Sequence, residues 1–156
     1  AARRLQRHET SVESTARCPR VDSLCAALHN FPMGRCNVRA VRGATTVASD
    51  HPLLIRQAVH ELLDELLELN DLTSLDVISA VFTATPDLTS EFPAHAARTY
   101  GWSDIPLLCA QELDISGSLP RCVRVMLHVE TRRERHEMRH AYLHNAVLLR
   151  QDLVSD

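Results

Sequence analysis

The sequence contains no lysine, so all 17 of its strongly basic side chains are arginine. Arginine grips carboxylates through two parallel hydrogen bonds, which suits recognition of small anions. A GC-rich coding sequence produces the same bias, so composition alone assigns no ligand. Against 20 acidic residues the formal net charge is -3, which offers no general attraction for nucleic acid or an anionic membrane. Any anionic ligand then depends on locally placed cations. The five cysteines (Cys18, Cys25, Cys36, Cys109, Cys122) are odd in number and form no C-x-x-C pair, which supports neither a disulfide framework nor a zinc ribbon. No run approaches the roughly 18 consecutive apolar residues of a membrane helix, and no signal peptide with a cleavage site is visible. Free thiols and the missing span lead to the expectation of a cytoplasmic protein. There is no internal repeat.

What is present amounts to one domain of 156 residues, long enough to bury a sizeable core. Residues 1–36 carry no sustained apolar period and mix Arg, Ser, Thr and His with three of the cysteines. They are expected to be an N-terminal extension that folds poorly, with Val21 to Leu28 a short helix at most. Arg and Ser suit a transit peptide, but Glu9, Glu13 and Asp22 oppose one. Met33 would serve equally as a start codon, and intact mass of the native protein distinguishes the two.

Residues 37–156 form the expected domain. Val38 to Arg42 alternates and meets Gly43, a strand with a turn at its end. Ser49 and Asp50 supply a helix cap and Pro52 an early helical position. Leu54, Ala58, Leu62, Glu65, Leu66 and Leu69 then follow a helical spacing that ends near Asn70 and Asp71. Val77 to Thr85 reads as a buried strand stopped by Pro86. A Thr/Ser/Pro loop leads to a short helix from Pro93 to Tyr100, closed by Gly101. Ile105 to Gln111 and Cys122 to Val129 read as two apolar strands joined by a turn, and Arg139 to Leu143 as a fifth strand. Helices on one face of a mixed sheet make this an α+β domain.

His136-Glu137-Met138-Arg139-His140 matches H-E-x-x-H, which on a helix sets two His on one face for zinc, with Glu as base. The site also needs a third ligand. No Glu follows it, and Leu143 and Ala146 stand where the longer metzincin motif needs Gly and His. The preceding run from Glu130 to Arg135 reads as a solvated loop, and Ala141 to Leu143 as strand. No metal is expected here.

Arg42, Glu112 and Arg124 sit in or at the ends of apolar strands, where an unpartnered buried charge costs several kcal/mol. One reading is a solvent-facing row on a half-exposed sheet. The other is a pocket for a small polyanion, to which Arg98, Tyr142 and Arg150 could add.

Several ordered motifs now combine: Val41-Arg42-Gly43-Ala44-Thr45-Thr46-Val47; Thr83-Ala84-Thr85-Pro86-Asp87-Leu88 with Phe92-Pro93-Ala94 and Arg98; Gly101-Trp102; Cys109-Ala110-Gln111-Glu112 with Cys122-Val123-Arg124-Val125-Met126; and Arg139-His140-Ala141-Tyr142-Leu143 with Ala146 to Arg150. Together, over Asn37 to Leu153, they resemble monofunctional chorismate mutase of the trimeric AroH type. The resemblance implies an isomerase of aromatic amino-acid biosynthesis that converts chorismate to prephenate by a Claisen rearrangement. It implies no nucleophile, metal or cofactor, and a homotrimer whose three sheets form a pseudo α/β-barrel with pockets between subunits. It further implies that Arg124 faces the ether oxygen, where negative charge develops. Glu112 and Cys109 would bond the ring hydroxyl, and Arg42 and Tyr142 would anchor a carboxylate. The backbone of Leu108, Ala110 and Gln111 would line the pocket, with Phe92, Ala94, Leu107 and Leu149 as apolar walls. Arg98 and Arg150 would stand at the entrance and tail.

The chain departs from the family at His95, often Lys, at Leu108, often Thr, and by one residue missing between Arg98 and Gly101. Two rivals follow: a reactive-imine deaminase of the same fold, and a non-catalytic trimer that binds a small carboxylate. Glu112 together with Arg124 favours the mutase over the deaminase, and only turnover separates it from the binding module.

Overall fold

The computed structural model describes residues 36–153. Among them, five strands and two α-helices run in the order β1 (Asn37–Thr46), α1 (Pro52–Leu69), β2 (Val77–Ala84), α2 (Pro93–Tyr100), β3 (Leu107–Gln111), β4 (Cys122–Thr131) and β5 (Ala141–Tyr142). Short 3-10 turns occur at Ser74–Asp76 and Arg135–Glu137, and a longer 3-10 segment, His144–Leu153, closes the described chain. The extension expected over residues 1–36, with its short helix, lies outside the described residues apart from Cys36. No helix among the described residues is long and apolar enough to cross a membrane.

The strands form one mixed sheet in the order β3-β2-β4-β1-β5. The β4 strand runs antiparallel to both β1 and β2, while β3 is parallel to β2 and β5 to β1. The two apolar strands read as joined by a turn are therefore not neighbours. β2 lies between them, and the connection from Glu112 to Arg121 crosses its end.

Helices α1 and α2 pack on the same face, burying Ile55, Val59, Leu62 and Leu66 of α1 against Val41, Phe82, Val125 and Leu127 of the sheet. Each such side chain contributes about 1.5–3 kcal/mol on leaving water. Gly43 is not the turn expected of it, because β1 continues through it to Thr46. A Cβ there would stand 2.9 Å from Cδ1 of both Leu62 and Leu66, so the missing side chain admits α1 onto the sheet.

The cap of α1 also differs from expectation. His51 holds the N-cap position and its Nδ1 accepts from Leu53 N at 3.3 Å. Asp50 turns away and accepts four hydrogen bonds from the amides and hydroxyls of Thr89 and Ser90. The short second helix matches its expected bounds, with Pro93 first and Gly101 left-handed at φ 117°. The third strand starts at Leu107 rather than Ile105, since Pro106 has no N–H to give the ladder. The fourth extends to Thr131, into the run read as loop. β5 is only Ala141–Tyr142, inside the expected range.

Candidate active site

Alternation along the strands decides which side chains meet on the face away from the helices. Register sets Arg42 opposite Met126, Ala44 and Thr83 opposite Arg124, and Val81 opposite Met126. These residues line a cleft of about 450 Å³, completed by Tyr142 beside Ala44 and by Leu149 and Arg150 from the closing 3-10 segment. Arg42, Arg124, Tyr142, Leu149 and Arg150, read separately from the sequence, are thus brought together.

Glu112 stands at the end of β3, where its N–H still bonds Ala84 O at 2.9 Å. Its Oε2 accepts from Arg124 Nη1, and its Oε1 accepts from Thr83 Oγ1 at 2.5 Å. Of the charges in the apolar strands, Glu112 and Arg124 are therefore partners. Both are partly buried, the Glu112 side chain more deeply, at 15% exposed against 35% for Arg124. Each carboxylate oxygen keeps a second lone pair for a ligand donor. Thr83, Val81 and Met126 belong to this cleft and were missed as site residues. The alternation of β2 carried the signal, since Val81 and Thr83 share the face opposite Phe82.

The remaining candidates lie elsewhere. Cys109 pairs with the buried Phe82 and packs against the core on the helix face with Leu107 and Ala94. Burial pushes its thiol upward, opposed by a hydrogen bond from the Ala94 amide, so it stays protonated at neutral pH. A second hollow of about 400 Å³ joins Cys109, Ala110 and Gln111 to Phe92 and Pro93. Phe92 is 72% exposed there.

The root of this hollow is fixed by Glu91. Its carboxylate accepts from Arg56 at 2.6 Å, contacts His95 Nδ1 at 3.0 Å and accepts from Phe92 N at 3.0 Å. Burial works to raise the Glu91 carboxyl, but these donors outweigh it and hold it below its ordinary value. The departure at His95 thus places an imidazole in hydrogen-bond contact with Glu91. Arg98 is exposed on α2, its Nη1 donating to Ser103 O at 3.2 Å. Leu108 is exposed on the face opposite Cys109.

Alternation therefore sends Cys109 and Glu112 to opposite faces of β3. Within one chain, the candidates divide into a cationic cleft and a hollow beside α2.

The H-E-x-x-H residues do not form one helical face. His136 and Glu137 lie in a 3-10 turn, Met138 is extended and buried, and His140 lies just ahead of β5. Glu137 Oε2 accepts from Glu134 N at 2.7 Å, and His140 Nδ1 accepts from Arg42 N at 3.3 Å. Among the described residues, no three His, Cys, Asp or Glu side chains are grouped to hold a metal.

Known proteins resemble this chain in sequence and fold. The sequence profile of the family described as chorismate mutase type I matches residues 38–153. Chorismate mutase AroH of Thermus thermophilus is 50% identical over 119 residues, which span 76% of this chain and 98% of that protein. The Bacillus subtilis chorismate mutase AroH is 43% identical over 117 residues, or 74% and 92% of the two chains. A solved chorismate mutase from Clostridium thermocellum superposes with a TM-score of 0.68 at 44% identity, over 70% of this chain and 97% of that one.

Proposed function

The chain belongs to the type I chorismate mutase family, and from that premise we propose a mechanism in which it isomerises chorismate to prephenate at a site shared between copies of the chain. The reaction serves aromatic amino-acid biosynthesis. It is intramolecular: the ether C–O bond breaks as a C–C bond forms, and no atom or electron enters or leaves. The protein's contribution is to hold the compact reactive conformer and to stabilise charge where it develops.

Arg124 carries this reading. A guanidinium held in place by Glu112, itself held by Thr83, costs little reorganisation when the ether oxygen becomes negative. Glu112 has a second role, accepting the ring hydroxyl through its remaining lone pairs. Arg42 and Tyr142, in the same cleft, anchor a carboxylate, with Leu149 as wall and Arg150 closing the tail side.

Cys109, Phe92, Ala94, Leu107 and Arg98 complete the pocket from a neighbouring copy, which brings their hollow against the cationic cleft. The separation of the two groups in one chain supports this, because a ligand on Arg124 lies across β3 from the Cys109 thiol of its own chain. A closed ring of three copies satisfies such a heterologous contact without an unpaired end. The backbone of Leu108, Ala110 and Gln111 borders the join. A non-catalytic carboxylate-binding trimer would use the same cations, so turnover is the test. Loss of chorismate's diene absorbance, with the product converting to phenylpyruvate in acid, supports the mutase. Binding without turnover by a correctly assembled protein would overturn it.

A further inference from the structure

Leu149 and Arg150 reach the cleft on the segment that follows β5, so their placement depends on how that segment leaves the sheet. Its root is fastened to the end of β1 by two backbone-donated bonds, Leu143 N to Ala44 O at 2.9 Å and Asn145 N to Thr46 Oγ1 at 3.2 Å, and the turn itself is closed by Ala146 N to Leu143 O at 3.0 Å. At the centre stands His144, whose φ of 52° places a non-glycine residue in the left-handed region. Such a conformation costs about 1 kcal/mol or more and persists only where the surroundings over-determine it.

The surroundings do so through the imidazole. Thr45 is fully buried, and among the described residues its hydroxyl is bonded to His144 Nδ1 at 3.1 Å. On the other side of the ring, Nε2 lies 3.7 Å from the Glu61 carboxylate of α1. In the tautomer protonated at Nε2, Nδ1 accepts the Thr45 hydroxyl while Nε2–H faces the carboxylate. One ring then links β1, α1 and the root of the closing segment.

We propose that His144 is a positioning residue, locking the turn that sets Leu149 and Arg150 over the cationic cleft. The inference rests on the assignment of those two residues to the substrate pocket. His144 touches no substrate. It acts by fixing the direction of the segment, so its loss weakens binding before it slows chemistry.

Two substitutions separate this from a merely structural role. His144→Gly relieves the left-handed backbone but removes the ring. His144→Asn tolerates the same backbone and offers Oδ1 to the Thr45 hydroxyl. For the intact protein with chorismate, His144→Gly is expected to raise KM roughly tenfold with kcat within about threefold. Amide exchange over residues 146–150 should quicken, and His144→Asn should restore both readouts to within about threefold of wild type. Unchanged KM and exchange in a folded, active His144→Gly would overturn the positioning role, as would an Asn variant as impaired as the Gly one. A wild type that does not turn over chorismate would instead remove the reading beneath, while the exchange comparison still reports on the turn.

Discussion

At the residue scale, the ion pair between Arg124 and Glu112 turns a costly pair of strand charges into a prepared site. In the proposed mechanism Arg124→Ala should lower kcat by about a hundredfold or more, since it would remove the donor assigned to the ether oxygen as the C–O bond opens. Arg124→Lys should recover part of this, because a point charge cannot serve the carboxylate and the substrate with one planar fork. Equal activity of both variants with wild type in a steady-state assay would refute the assignment. A different residue contributes to the acid response. Hydrogen bonds from the Ser90 hydroxyl first, then that of Thr89, hold the Asp50 carboxyl at about 2 against an ordinary 3.8. The folded state therefore binds fewer protons than the unfolded chain below about pH 4. The stability Asp50 supplies is present above that pH and is lost as pH falls toward about 2. Melting curves of wild type and Asp50→Asn should differ at pH 5 and converge near pH 2; a constant difference would contradict this.

At the element scale, Gly43 and Asn70 govern how α1 meets the sheet. Gly43→Ala drives a methyl against Leu62 and Leu66 and should cost about 1–3 kcal/mol in urea unfolding. Asn70, buried at the end of α1, donates to Leu66 O and Arg139 O and accepts from Arg139 N. Asn70→Ala should cost about 2 kcal/mol, because it strands the peptide groups it serves. A change below about 0.5 kcal/mol in either variant would show that the contact is dispensable.

These elements also show what the sequence could tell. The first helix, the second helix and the buried β2 were legible because apolar spacing, Pro at the helix start and Gly at the helix end act locally. Gly43 was misread because its reason is a helix side chain from residue 62, which no local pattern reports. The pairing of β3 with β2 rather than β4 was equally hidden, since sheet order depends on which edges meet after the helices pack. The resemblance implies that Cys109 and Glu112 bond one ring hydroxyl. Within one chain period-2 alternation sets them on opposite faces, and Thr83 meets Arg124 only through the β2–β4 register, which no local pattern reports.

At the scale of the whole molecule, the division of the candidate residues is what matters most. One copy presents a cationic cleft on the helix-free face and a second hollow beside α2, with Val81 and Met126 of the cleft and Leu108 of β3 exposed or half-buried. A second copy that covers this face and joins the two halves accounts for both features. The account predicts a native mass of about three chains. It also predicts that subunits damaged in different halves repair one another. The decisive measurement is therefore chorismate turnover by Arg124→Ala, by the double variant Phe92→Ala with Arg98→Ala, and by the two after subunit exchange. Activity of the mixture well above the sum of its parents is the predicted result, since some shared pockets then contain both intact halves. No gain on mixing, with exchange verified by native mass spectrometry, would contradict a site built from two copies.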